Sequence, residues 1–399
     1  MKKIILISPF SIAQNPRLVK EYEALKSVGY QVKVYHGERD KWASNFNHPN
    51  KNDFILVGNS LGSFSYLLNR IVYKVIKLVL PIDYCHDRIS ILLLLKLIFI
   101  KADLYIGHNL ASLPIVVKLA KFHKAKCGFD AEDFHRQEIN DDLNSREFKN
   151  SKALEDKYLT KVDYLTVASP LIGAAYEKLF PTLNPVIINN VFSSKFIPYK
   201  KEISTCKGLK LFWFSQTIGR NRGLEVLISA LGKLKLPKIS LTILGMIRKD
   251  DRKYFEDFFV KENILLSSLN FLDPVKPNQI FEIAAKHDIG LALEPGFCLN
   301  NHLALSNKLF TYLIAGIGII ASETHAQKLF FQKYPSVGST FKLGDIDSLA
   351  GLISTYYYDS KALSLIKMQS EFLAKTELNW ESESIKFIHT VSNTLKTRN

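Results

Sequence analysis

The chain has 399 residues, 47% of them hydrophobic and 23% charged, with a formal net charge of +15 and a pI near 9.4. That length exceeds one ordinary domain and points to two of roughly 200 residues, each with a real core. The basic balance favours anionic partners, namely phosphorylated substrates or anionic lipid surfaces; nucleic acid is the least favoured, because no recognisable binding motif accompanies scattered lysines.

The four cysteines, Cys85, Cys127, Cys206 and Cys298, lie far apart and form no metal or redox spacing, as expected of reduced thiols in a cytosolic protein. The opening MKKIILISPF imitates a signal peptide, but its apolar run is short and meets a proline without a small-residue cleavage site. It reads as a buried first strand.

In chain order, the strand KKIILIS is followed by an amphipathic helix, PRLVKEYEALKSVGY, ended by Gly29, and by the strand QVKVY. SYLLNRIVYKVIKLVLP then interleaves apolar residues with Arg70, Lys74 and Lys77, and ILLLLKLIFIK comes shortly after. Neither is long or clean enough to span a bilayer. ILLLLKLIFI fits a core helix; the preceding segment fits equally a core helix or a basic amphipathic helix lying on an anionic surface. ADLYIGH, KCGFDAE and YLTVAS supply further buried strands, and FIPYKKEISTCKG is polar and basic enough for a linker. The rhythm restarts with LKLFWFS, GLEVLISALGKL, SLTILG, NQIFEIAAKH, IGLALE, KLFTYLIAG and IGIIAS, strand and helix in turn. Apolar strands alternating with helices imply parallel sheets covered on both faces. The fold class is α/β, with two Rossmann-like domains facing a central cleft: residues 1–197, then 198–375, with 376–399 a final helix.

The stretch from Glu294 to Glu323 carries most of the chemistry. An acidic residue ends an apolar run, Ser306, Asn307, Lys308 and Thr311 precede Gly316, and a second apolar run follows. Polar groups gather where a strand ends and a helix begins, the edge where open parallel sheets hold ligands and helix N-termini receive phosphate.

This stretch resembles the donor-sugar signature of family 4 glycosyltransferases, which have the GT-B fold. In that signature a first Glu is followed, after seven residues, by a second. Glu294 matches the first, Thr311 stands where the second would fall, and extra residues around Cys298 to His302 break the spacing. NPRLVKEYEALKSVGYQVKVY, ADLYIGHNLASLP, GFDAEDFH, LKLFWFSQTIGRNRGLEVLISAL and NWESESIKFIHTV are similar, in order, to successive segments of these enzymes. The last resembles the helix that crosses back onto the first domain.

The resemblance implies a retaining transferase that moves a sugar from a nucleotide-sugar donor to a glycan or lipid-linked acceptor in polysaccharide or cell-surface glycan biosynthesis. It also implies Arg222 before Gly223 and Lys308 as cations on the leaving diphosphate, with Arg220 nearby as an alternative. Glu294 would hold sugar hydroxyls. Thr311 would offer the ribose one neutral hydrogen bond, and base contacts would come from backbone near Gly245. On the acceptor side, Glu132, Asp133, His135 and His108 are candidates for a general base or an orienting group, and Asn15 and Arg17 would line the cleft. No cofactor or metal is expected: Asp345 and Asp347 form an Asp-x-Asp, but just before an amphipathic helix one of them is better explained as an N-cap. The expected place of work is the cytoplasm, peripheral on the inner face of the membrane. Two other readings stay open, a GT-B-fold protein that binds sugar nucleotides or glycans without catalysis, motivated by Thr311, and a nucleic-acid binder, resting on charge alone.

Overall fold

A computed structural model describes residues 1–38, 48–58, 64–199 and 208–397. Cys206 and most of the basic linker stretch lie outside the described residues.

The chain forms two compact units, one of Met1–Asn189 with Cys298–Asn300 and Glu383–Asn399, the other of Asn190–Phe297 with Asn301–Ser382. The chain thus changes unit at Asn190 rather than at 198, and returns at Glu383 rather than at 376. The reason is local. The Trp380 amide donates to the Phe192 carbonyl at 3.0 Å, and the Phe192 and Phe196 rings pack 5.0 and 5.3 Å from that of Phe281. Residues after Asn189 are therefore held by the second unit's own side chains.

In the first unit the strands are β1 (Lys3–Ser8), β2 (Gln31–His36), β3 (Phe54–Leu56), β4 (Leu104–His108), β5 (Lys126–Ala131), β6 (Tyr164–Val167) and β7 (Val186–Ile187). They form one parallel sheet in the order β3-β2-β1-β4-β5-β6-β7. Its helices are α1 (Pro16–Ser27), α2 (Phe64–Val79), α3 (Ile82–Cys85), α4 (Ser90–Leu97), α5 (Leu113–His123), α6 (Arg146–Tyr158) and α7 (Pro170–Leu179). Ile4, Ile5, Leu6 and Ile7 have no exposed surface, as a strand covered on both faces requires. Leu93 and Leu97 are buried as well, so α4 is a core helix.

The second unit repeats the plan with β8 (Leu209–Ile218), β9 (Ile239–Ile247), β10 (Leu269–Leu272), β11 (Ile289–Ala292), β12 (Gly318–Ser322) and β13 (Gly338–Phe341), parallel in the order β10-β9-β8-β11-β12-β13. Its helices are α8 (Leu224–Leu234), α9 (Lys249–Lys261), α10 (Gln279–Ala284), α11 (Leu299–Leu303), α12 (Asn307–Ala315), α13 (His325–Lys333), α14 (Ile346–Tyr358) and α15 (Ser360–Thr376). Of these, α11 lends its first residues to the other unit, and α16 (Trp380–Lys396) also divides between the two. The Asp345 side chain accepts from the Ser348 amide at 2.9 Å and caps α14, while Asp347 pairs with Lys233.

Strand order reverses between β1 and β4 in one sheet and between β8 and β11 in the other. At such switch points the carboxyl ends of the strands leave a crevice for ligands, which gives the polar residues just after β1, β4, β8 and β11 their interest.

The first unit is pinned by Arg17 of α1. Its guanidinium is completely buried, with Nε and Nη2 each 2.7 Å from an oxygen of Asp130 and Nη1 donating to the Ile188 carbonyl. Glu21 Oε1 lies 3.6 Å from Nε. Removing a partner from such a set leaves an uncompensated buried charge, at about 3–5 kcal/mol. Arg17→Ala should therefore lower the urea midpoint of the first unit sharply, and Arg17→Lys should not restore it, because an ammonium cannot make the two-pronged contact. A midpoint within experimental error of the parent would contradict this account.

Candidate functional site

In the second unit the site grows from the end of β11. Glu294 follows Leu293, and its amide donates to Ser322 Oγ at 2.8 Å, tying it to the end of β12. Its Oε1 accepts from Ser306 Oγ at 2.7 Å and from Lys308 Nζ at 2.8 Å; among the described residues Oε2 has only Asn301 Nδ2, at 3.3 Å. Burial pushes this carboxyl up, but the charge and hydrogen bond of Lys308, with the hydrogen bonds of Ser306 and Asn301, hold it below the usual carboxylate range. Glu294 is therefore an anion whose Oε2 keeps acceptor capacity for a hydroxyl.

Ser306 is the N-cap of α12, yet its side chain makes no capping bond, because its hydroxyl is spent on Glu294. Helix starts leave their first amides without intrahelical partners, so this end stays suited to an anion. Lys308, in the first turn, also lies 5.7 Å over the Trp213 ring.

Gly223 caps α8 with φ +84°, and a Cβ there would stand 2.6 Å from Leu293 Cβ. Only glycine allows the start of α8 to lie so close to the residue before Glu294. Arg222 beside it is exposed, with Nη1 donating to Ser215 Oγ at 2.9 Å; Ser215 sits in the bulge between Phe214 and Thr217.

Several expected site residues are occupied elsewhere. Arg220 Nε is 3.3 Å from Asp251 and its guanidinium lies 4.2 Å over Tyr254, bracing α9. At Gly245 a Cβ would stand 2.1 Å from the Ser215 carbonyl oxygen, so this glycine lets β9 pass the bulge. Thr311 is buried and its hydroxyl donates to the Asn307 carbonyl at 3.1 Å, one turn back in its own helix. Its proton is not offered to a ligand.

In the first unit the expectation that Asn15, Arg17 and His108 meet an acceptor is corrected by burial. Asn15 is spent as the cap of α1, accepting from the Leu18 amide at 3.0 Å. Arg17 is enclosed as described, and His108 has no exposed surface. His108 Nε2 lies 3.1 Å from Glu21 and Nδ1 3.5 Å from Asp130, near enough for charge attraction though neither is aligned as a hydrogen bond. Burial opposes charging of His108, but the surrounding carboxylates prevail and raise its pKa well above the ordinary value. Glu21, His108 and Asp130 are grouped closely enough to ligate a metal, but Arg17 already bonds the Asp130 carboxylate from both prongs and supplies the positive charge.

Glu132, after β5, is the member that reaches the surface: its side chain is 19% exposed and Oε1 stands 3.9 Å from His108 Nδ1 without a hydrogen-bond partner. Asp133 Oδ1 accepts from Asn300 Nδ2 at 2.8 Å, and burial with nearby Glu138 lifts its pKa to about 6. Burial opposes charging of His135 too, but Glu138, 2.8 Å from its Nδ1, helps raise the pKa to about 9.

The sequence reading passed over Asn109, Ser215, Asn300, Asn301 and Ser322. Asn109 follows β4 with φ 65° and ψ 149°, a backbone conformation that costs a residue other than glycine about 1–3 kcal/mol. It is held by Ser8 Oγ, 3.3 Å from its Oδ1, and by Ser112 Oγ, 2.8 Å from its carbonyl oxygen. Asn109, His135, Glu138, Asn140, Phe148 and Lys77 are among the residues lining a cavity of about 280 Å³. A polar residue directly after a buried strand was the available signal for Asn109 and Ser322; Asn300 and Asn301 lie in the extra residues that break the signature.

No family model matches the chain, and no curated protein sequence matches it. Solved structures do. Sucrose-phosphate synthase from Thermosynechococcus elongatus superposes with a TM-score of 0.76 at 13% identity, over 98% of this chain and 99% of that one. The chain has the GT-B fold. HepE of Anabaena in complex with UDP gives 0.69 at 12% identity, over 98% and 100%. WaaG, a glycosyltransferase involved in lipopolysaccharide biosynthesis, gives 0.67 at 14%, over 98% of each.

The His135–Glu138 pair sets a pH dependence. A histidine whose folded pKa is raised stabilises the fold fully below its ordinary value near 6.5 and loses that contribution as pH climbs towards about 9. Glu138→Gln should move the His135 titration, followed by NMR of its ring protons, down from about 9 and flatten the fall of the melting temperature over that window. A titration that stays put would show that Asp133 and Glu155 alone hold the proton.

Proposed function

We propose that this protein transfers a sugar from a nucleotide-sugar donor, held by the second unit, to a glycan or lipid-linked glycan acceptor held by the first, with retention at the anomeric carbon. The observation that carries the reading is Glu294, an anion at the switch point with one oxygen saturated by Ser306 and Lys308 and the other open to a hydroxyl. Oε2 accepts from the donor sugar. The start of α12, Lys308 and the exposed Arg222 meet the charge that develops on the departing diphosphate, which asks for no metal or other cofactor. In the first unit Glu132, with protonated His108 behind it, orients the acceptor hydroxyl, and Asp133 and His135 shape the surface beside it.

HepE, bound to UDP, and WaaG, active in lipopolysaccharide biosynthesis, share the fold. They support UDP as the first nucleotide to try, and polysaccharide or cell-surface glycan assembly at the inner face of the cytoplasmic membrane as the setting. A family 4-like hexosyltransferase is the class that fits. The second reading, a binding protein without turnover, is favoured by one observation: Thr311 cannot grip a ribose as an acid would.

A thermal-shift series with UDP, GDP, ADP and CMP tests donor binding; a nucleotide at 100 times its Kd stabilises by about 2.7 kcal/mol. We expect UDP to shift the melting temperature, and no shift with any of the four would contradict a donor site.

Turnover separates the two readings. Glu294→Gln should lower kcat about ten- to a hundredfold while keeping the nucleotide shift, the loss of about 1.5–3 kcal/mol from a charged hydrogen-bonding group. Thr311→Ala should cost less than about tenfold, because its bond is internal to α12. Negligible losses at both positions would put the binding protein ahead. Activity should persist in EDTA; loss that manganese restores would overturn the metal-free mechanism.

A further inference from the structure

The helix α2 is turned the wrong way for a core element. At about 100° per residue, Ile71, Val72, Val75, Leu78 and Val79 share an arc of about 120°, and all five are exposed, from 43% at Val72 to 87% at Leu78. The opposite arc, with Asn69, Tyr73 and Ile76, is the half-buried one. Tyr73 OH donates to the Cys85 carbonyl at 3.0 Å, and Asn69 Nδ2 lies 3.5 Å from the Gly58 carbonyl oxygen. Arg70, Lys74 and Lys77 fill the remaining arc and are exposed, and the sequence FSYLLNRIVYKVIKLV contains no acid. Among the described residues no helix is long and apolar enough to cross a membrane.

We propose that α2 seats the first unit on an anionic lipid surface, with Arg70, Lys74 and Lys77 against the headgroups and the arc from Ile71 to Val79 in the acyl boundary. Charge decides the occupant. A second copy docking through the same face would bring the same cations together, whereas an anionic bilayer supplies both an apolar layer and the opposite charge. Lys77 also lines the cavity that contains Asn109 and His135. The seat therefore brings that cavity near headgroup level, where the head of a lipid-linked acceptor lies. This last step rests on the transferase reading; the seat itself does not.

The full chain is to be spun with vesicles of phosphatidylcholine alone and of phosphatidylcholine mixed with phosphatidylglycerol, at low and high salt. We expect binding only to the mixed vesicles, weakened by salt. Reversing the charges by Arg70→Glu, Lys74→Glu and Lys77→Glu should weaken it about a hundredfold. The pair Val75→Asp and Leu78→Asp should abolish it at unchanged charge on the basic arc. These side chains are exposed, so melting curves and the UDP-induced shift should match the parent; a seat that fails while the UDP shift persists discards this proposal and leaves the donor site standing. Equal binding to both vesicle types, or binding that survives either set of substitutions, overturns the seat. So does a dimer in lipid-free solution that the Val75 and Leu78 substitutions dissociate, which would make α2 a contact between copies.

Discussion

A carboxylate half-buried just past the end of a parallel strand has to be neutralised by whatever stands across the strand edge, and that constraint organises the second unit. Glu294 takes the hydroxyl of Ser306, the ammonium of Lys308 and the amide of Asn301. Each of those commitments fixes something else. Ser306 gives up capping its own helix, Lys308 is drawn in over Trp213, and the loop through Asn301 is held to the strand end. Gly223 then allows α8 to begin against Leu293, so the starts of α8 and α12 are both referred to the two residues just after β11. A half-buried pair of this kind contributes little net stability after desolvation. What it supplies is position: three partners hold the Glu294 carboxylate, two of them on Oε1, and so fix where the open Oε2 points.

The first unit solves a larger version of the same problem. Arg17, Glu21, His108 and Asp130 place four ionisable groups where none has exposed surface; the two prongs of Arg17 hold Asp130 as an anion, the carboxylates favour a charged His108, and burial pushes the Glu21 carboxyl up. The layer beneath the ligand edge of this sheet is thus ionic rather than apolar. Glu132, partly exposed, stands between this layer and solvent, and His108 behind it is an enclosed backing charge.

Most of the sheet architecture was legible in the chain because a strand covered on both faces must be a continuous apolar run. The runs KKIILIS, ADLYIGH, LKLFWFS and IGIIAS all fall within observed strands or their immediate ends. The strands that gave no such signal are β3, β7, β10 and β13, the outermost in each sheet; with two to four residues and partial exposure they carry too little pattern. The polar residues were harder, since a side chain after a strand end reads alike whether it turns outward or in. That is why Glu294 and Lys308 were found at a strand edge as read, while Arg17, Asn15 and His108 proved to be enclosed. Periodicity showed that α2 had an apolar face and a basic one. Only the half-burial of Asn69, Tyr73 and Ile76 says which side meets the protein.

The brevity of those outer strands has a consequence of its own. An edge strand is a row of unsatisfied amides and carbonyls on which another chain can add a strand, and long flat edges invite such growth. Here the four edges offer two residues at β7, three at β3 and four each at β10 and β13, too few for a foreign strand to register against. A molecule with this much exposed apolar surface on one helix can therefore be crowded against its neighbours without its sheets propagating from one copy into the next.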